Sequence, residues 1–203
     1  MKYYVYISKT KVDMLYPQIP PDFLASAEAD LRVNLGVLSA GLKSRSPETS
    51  QELAGRVGVL SAYLRDHESV GTPDAPQYWF QAVAPLRWGV VREYAADIVF
   101  FGGQIGSRTV VLLGSSESIV GAAQTADAQH APFHYTLSFL NAVLEGRTEL
   151  TDKQASRLLS WPHAVDTCFR TVPKSEQRID FLARMLHAEG DLLVGTPLYA
   201  ALA

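Results

Sequence analysis

The chain has 203 residues, 47% of them hydrophobic and 19% charged, a composition that excludes disorder and lets a globule of this length bury roughly 70% of its unfolded-chain surface. Its 18 basic and 21 acidic residues give a net charge of -3 and form no run, so no basic stripe is offered to nucleic-acid phosphates or anionic lipid, and both are excluded as partners. Cys168 is the single cysteine, which excludes an internal disulfide; with no long apolar stretch and no signal-peptide core, the expectation is a cytoplasmic chain.

Tyr3-Tyr4-Val5-Tyr6-Ile7 is all β-branched or aromatic and is ended by Ser8-Lys9-Thr10, so the first element is a strand. A short helical turn over Lys11–Tyr16 precedes Pro17, and a second helix covers Asp22–Glu28 beyond Pro20-Pro21. Leu31, Val33, Leu35 and Val37 alternate with polar residues or glycine, which predicts a strand. Ser46-Pro47-Glu48 then opens a helix that Leu53, Val57, Leu60 and Leu64 carry to about His67. Gly-Val-Leu-Ser-Ala occurs at Gly36–Ala40 and again at Gly58–Ala62, but the flanks differ. No repeat array follows; strand is expected at the first copy and helix at the second.

Three β-rich stretches come next, Tyr78–Val91, Ile98–Phe101 and Thr109–Leu113, with turn chemistry at Gly102-Gly103 and Gly106-Ser107. Pro85 is expected to bend or interrupt the first, and the other two to form an antiparallel hairpin around Gln104 and Ile105. The C-terminal third is predicted helical over Pro132–Leu144, over Thr151–Arg170 with a break at Pro162, and over Glu176–Ala188, where Ile179, Leu182 and Leu186 line one face. Asp191–Leu202 is apolar and can return as a last strand. The expected fold is α+β in a single globular domain over residues 1–203: a mainly antiparallel sheet of about five strands covered by helices, with a helical C-terminal third.

The candidate chemistry is sparse. Gly114-Ser115-Ser116 follows an apolar strand and can present backbone N–H groups and hydroxyls to an anion, although it lacks the Walker and nucleophile-elbow patterns and also reads as a capped turn. Trp79, Arg87 and Trp88 concentrate aromatic surface and one guanidinium, as a ligand site or as core, and Gly89 allows close approach to the backbone. Lys11, Asp13, Tyr16 and Gln18 form a polar set just beyond the first strand, able to line a pocket or to solvate a short helix.

His130 and His134 are four apart but separated by Pro132, which does not make a metal site. His163 and His187 read as structural, the latter as a helix-dipole partner, and Asp66-His67-Glu68 as a solvated helix end. Cys168 has no defined histidine partner and reads as a small buried hydrophobe. No cofactor and no metal are implied.

Five segments, YYVYISKTKVDMLYPQIP at the start, LRWG at Leu86–Gly89, FFGG at Phe100–Gly103, LLGS at Leu112–Ser115 and VGTPLY at Val194–Tyr199, resemble a family of uncharacterised, mostly actinobacterial proteins of similar length. The resemblance covers nearly the whole chain, brings no established activity and carries over no catalytic residue. Some of those proteins belong with bacterial conflict systems that pair caspase-like and repeat proteins, which implies an accessory role. The expectation is a non-enzymatic module that binds a small-molecule ligand or a partner protein. The alternative is a small enzyme acting on an anionic or phosphate-bearing substrate at Gly114–Ser116.

Overall fold

The computed structural model describes residues 2–27, 50–91, 98–121 and 161–203. They form two compact units, Lys9–Ser69 and a second made of Met1–Ser8 with Val70–Ala203.

The Lys9–Ser69 unit is helical. α1 (Lys9–Leu15) passes into a 3-10 turn at Tyr16–Gln18, where Pro17 sits in the first turn and forfeits no intrahelical donor. A second helix, α2, spans 21–27, and α3 (Ser50–His67) ends at His67, as the spacing of its aliphatics predicts. Val57, Leu60 and Leu64 form its buried stripe. Asp13 takes Lys9 at 3.6 Å and Arg56 at 2.9 Å, while the Arg56 guanidinium lies 4.9 Å above the Tyr16 ring, so charge ties α1 and its turn to α3. Phe23, Tyr63 and His67 cluster at the far end, with the Tyr63 and His67 rings stacked at 4.5 Å. The second Gly-Val-Leu-Ser-Ala copy is helical within α3. The first copy, the strand expected over 31–37 and the helix start at Ser46 lie outside the described residues.

The other unit is a closed barrel. Its strands are β1 (Tyr3–Ile7), β2 (Val70–Gly71), β3 (Trp79–Val90), β4 (Ile98–Ile105), β5 (Arg108–Ser115), β6 (Gln177–Glu189) and β7 (Leu192–Leu202). The antiparallel ladders β3–β4, β4–β5, β6–β7 and β3–β6, with the parallel ladder β5–β7, close a ring of five strands. β1 adds to β7 beyond the end of its β5 ladder, and β2 pairs with the start of β3. The inward residues alternate along each strand: Phe80, Ala84 and Leu86 on β3, Val99 and Phe101 on β4, Val110 and Leu112 on β5, Ile179, Phe181 and Ala183 on β6.

A five-strand ring is narrow, and glycine supplies the room. A Cβ on Gly195 would stand 2.7 Å from the Phe80 ring, and one on Gly114 would stand 2.3 Å from the Tyr6 hydroxyl. Outside, α4 (Trp161–Thr171) lays Val165 and Cys168 on Phe100, Val111, Leu113 and Val194.

This architecture corrects the expected fold. The sheet is not an open, mainly antiparallel one covered by helices but a closed mixed barrel, and the C-terminal region is mainly strand. The residues expected as a helix over Glu176–Ala188 are β6. Ile179, Phe181 and Ala183 turn inward while Arg178 and Asp180 turn outward, a period of two that Leu182 and Leu186 mask by adding a helical spacing. His187 consequently lies on a strand, 3.2 Å from Glu189, and has no helix end to serve.

Pro85 does not interrupt β3. A Cβ on Gly103 would lie 2.6 Å from the Pro85 carbonyl, so the polar edge of Pro85 faces β4 ahead of the first β3–β4 pair, Arg87 with Gly102, and the missing N–H falls off the β6 ladder. The hairpin joining β4 to β5 exists, but its turn is Gly106-Ser107, with Gly106 at φ +58°, and Gly102-Gly103 runs inside β4. The segment after β5 is a 3-10 turn at Ser116–Ser118. The helix expected over Pro132–Leu144, the first part of the one expected from Thr151, His130 and His134 lie outside the described residues.

Candidate functional site

On the outer wall of the barrel, a cavity of about 490 Å³ opens beside α4 and is lined by residues of α4, β3, β4, β5 and the start of β7 and of the two segments flanking β6. Its apolar surface comes from Val165, Phe169 and Leu192, and its polar rim from Arg87, Gln104, Thr109, Asp166, Glu176 and Asp191. Thr109 donates its hydroxyl to the Gln104 side-chain carbonyl at 3.0 Å, fixing two rim groups to each other across the hairpin. Asp166 is engaged by Arg170 at 2.6 Å.

Arg87 lies at the junction of cavity and helix. Its guanidinium donates to the carbonyl of Pro173 at 3.0 Å, to that of Val172 at 3.2 Å and to that of Phe169, and it stands 5.2 Å above the Phe169 ring. A cation at a helix C-terminus meets unsatisfied carbonyls and the negative end of the dipole. The guanidinium that the sequence offers as part of a ligand site is therefore committed to capping α4. The close approach that Gly89 allows is made by Pro173, whose Cδ would be 3.0 Å from a Cβ there.

The other sequence-selected residues fall in several places. Trp88, next to Arg87, points to the opposite face of β3, stacks on Phe101 at 5.5 Å and donates its indole N–H to Gln177 at 2.7 Å. Phe101 also meets Tyr6, at 5.9 Å, and Tyr6 fills the space over Gly114, so Trp88 and Gly114 belong to one aromatic cluster in the barrel interior. Ser115 accepts the Glu117 N–H at 3.3 Å as the cap of the 3-10 turn that Ser116 begins. Trp79 is buried at the start of β3, opposite Arg184. In the helical unit Lys11 is buried, Asp13 and Tyr16 are engaged by Arg56, and Gln18 donates to the Met14 carbonyl at 2.7 Å.

Burial in the core under α4 pushes the Cys168 thiol far up, so it stays protonated and packs as an apolar group. A second polar cluster had no signal in the sequence, because its members are far apart in the chain. Lys2 reaches Asp180 at 2.7 Å and Tyr199 at 2.9 Å, and Tyr199 donates to Asp180 at 3.0 Å. Partial burial pushes the Lys2 ammonium down, but its bonds to Asp180 and Tyr199 outweigh that and hold it above its ordinary value. This triangle fixes the chain start to β6 and β7. The cavity rim was equally hidden: Gln104, Thr109, Asp166, Glu176 and Asp191 are ordinary polar residues that only barrel closure and α4 bring together.

Among the described residues, no helix is long and apolar enough to cross a membrane. The chain belongs to the family of unknown function DUF7019, which matches residues 2–203. No curated protein and no solved structure matches it.

Proposed function

We propose that this member of DUF7019 is a ligand-binding module whose site is the cleft beside α4. The observation that carries the reading is the cavity itself. At about 490 Å³ it falls within the size range of small-molecule sites and combines an apolar floor with a few converging polar groups. Arg87 gives the site a route to the rest of the fold, because one side chain both lines the cleft and caps α4. A ligand that changes the environment of the guanidinium changes the seating of the helix, which is the physical content of a sensing role. An accessory place in a bacterial conflict system, in the cytoplasm, belongs to the same proposal.

Native mass spectrometry of the chain purified from its source cells tests this. The expected result is a retained small-molecule adduct that disappears in Thr109→Trp, where an indole fills the cleft from β5. An adduct unaffected by Thr109→Trp, or the absence of any adduct from the wild-type chain, would count against the cleft as the site.

A further inference from the structure

We infer that α4 is a flap that opens from the barrel as a unit while the five-strand ring stays closed, with Arg87 as its latch. The strand wall separates two cores. Val99, Phe101, Val110 and Leu112 face the lumen, their neighbours Ile98, Phe100, Val111 and Leu113 face outward beneath α4, and the two clusters share no residue. None of the five ladders that close the ring includes a residue of α4. Lifting the helix therefore breaks no ladder and leaves the lumen packed.

What holds the helix is local. From Val165 to Pro173, every hydrogen bond to the barrel among the described residues comes from one side chain, Arg87, which reaches the carbonyls of Phe169, Val172 and Pro173. The Asp166–Arg170 ion pair and the hydrogen bonds of the Thr171 hydroxyl lie within the helix and do not tie it to the wall. The rest of the hold is apolar: Val165, Cys168 and Phe169, with Val172 just past the helix end, pack on the outward residues, the Phe169 ring 5.1 Å from that of Phe100. A segment held by so few contacts opens at a lower free energy than the whole fold. Val165, Asp166 and Phe169 also line the cleft, so opening widens it whether or not a ligand is bound there.

Cys168 is the single cysteine of the chain and is buried beneath the helix, so its reaction with a thiol-specific disulfide reagent reports the opening. The rate is measured on the full chain at urea concentrations below the unfolding transition, beside the denaturation curve. The urea slope of labelling should be less than about half the m-value of unfolding, because opening exposes only the contact between helix and wall. Arg87→Ala should speed labelling about 30-fold or more, the scale of losing several hydrogen bonds to a charged group. Phe80→Leu, which loosens only the lumen, should lower the urea midpoint yet leave labelling in water within about twofold of the wild type. Labelling with the full unfolding slope, or acceleration by Phe80→Leu in proportion to its loss of stability, shows that Cys168 reacts only when the barrel itself opens and overturns the flap. Acceleration of less than about twofold in Arg87→Ala overturns the latch. The measurement uses no ligand, so its outcome is independent of whether the cleft binds one.

Discussion

Arg87 shows how far a side chain's surroundings decide its work. Next to Trp88 in sequence, it reads as the charged member of an aromatic ligand site, yet strand alternation sends the two residues to opposite faces of β3. Trp88 goes into the barrel, and Arg87 goes out to the carbonyls that end α4. Hydrogen bonds to a charged group are worth about 1.5–3 kcal/mol each at the upper end, with the several carbonyls here sharing one ion. Arg87→Ala is therefore expected to cost about 2–3 kcal/mol and to lower Tm by about 5–10 °C. Arg87→Lys should recover less than half of the loss, because an ammonium cannot reproduce the planar fork. Urea and thermal denaturation of the two variants decide it; an alanine variant within about 0.5 kcal/mol of the wild type would show that the guanidinium does not hold the helix.

Among the elements, β6 separates what the sequence could and could not show. β1 is legible because five β-branched or aromatic residues admit no other reading, and β7 because its apolar run follows a turn. Apart from Ile179 and Phe181, β6 is built of Gln, Arg, Asp, Leu, Ala, Met, His and Glu, mostly adequate or good helix formers, and its strand state is imposed by partners on both sides, β3 and β7. Those partners lie about a hundred residues upstream and immediately downstream, so no local window contains the decision. Ala188, exposed near the end of β6 and opposite Leu193, tests the state directly. In a strand, Ala188→Thr is expected to be neutral or to stabilise by up to about 0.5 kcal/mol, whereas in a helix it would destabilise by a similar amount. A lowered urea midpoint with an unchanged m-value would contradict the strand assignment.

Closure of five strands into a ring is the property of the whole molecule that no single element announces. Sequence patterning identifies which residues face a core, but an open sheet covered by helices and a closed barrel ask for the same alternation, and only the ladders β5–β7 and β3–β6 distinguish them. What the barrel does demand is small residues in its lumen, and Gly195 meets that demand: its Cα faces the Phe80 ring, with the Arg184 carbonyl 3.0 Å from where a Cβ would stand. The Val194–Tyr199 segment was notable in sequence without a reason, and the lumen gives the reason for its glycine. Gly195→Ala should destabilise by about 2–3 kcal/mol through overpacking, and Phe80→Leu by about 1–2 kcal/mol through lost contacts. Because the leucine is shorter than the ring that obstructs the new methyl group, the double variant should cost about 1 kcal/mol less than the sum of the two. Denaturant titration of the four proteins of this cycle measures the coupling. Additivity within about 0.5 kcal/mol would mean that the Arg184 backbone, and not the Phe80 ring, sets the limit on the lumen at this point.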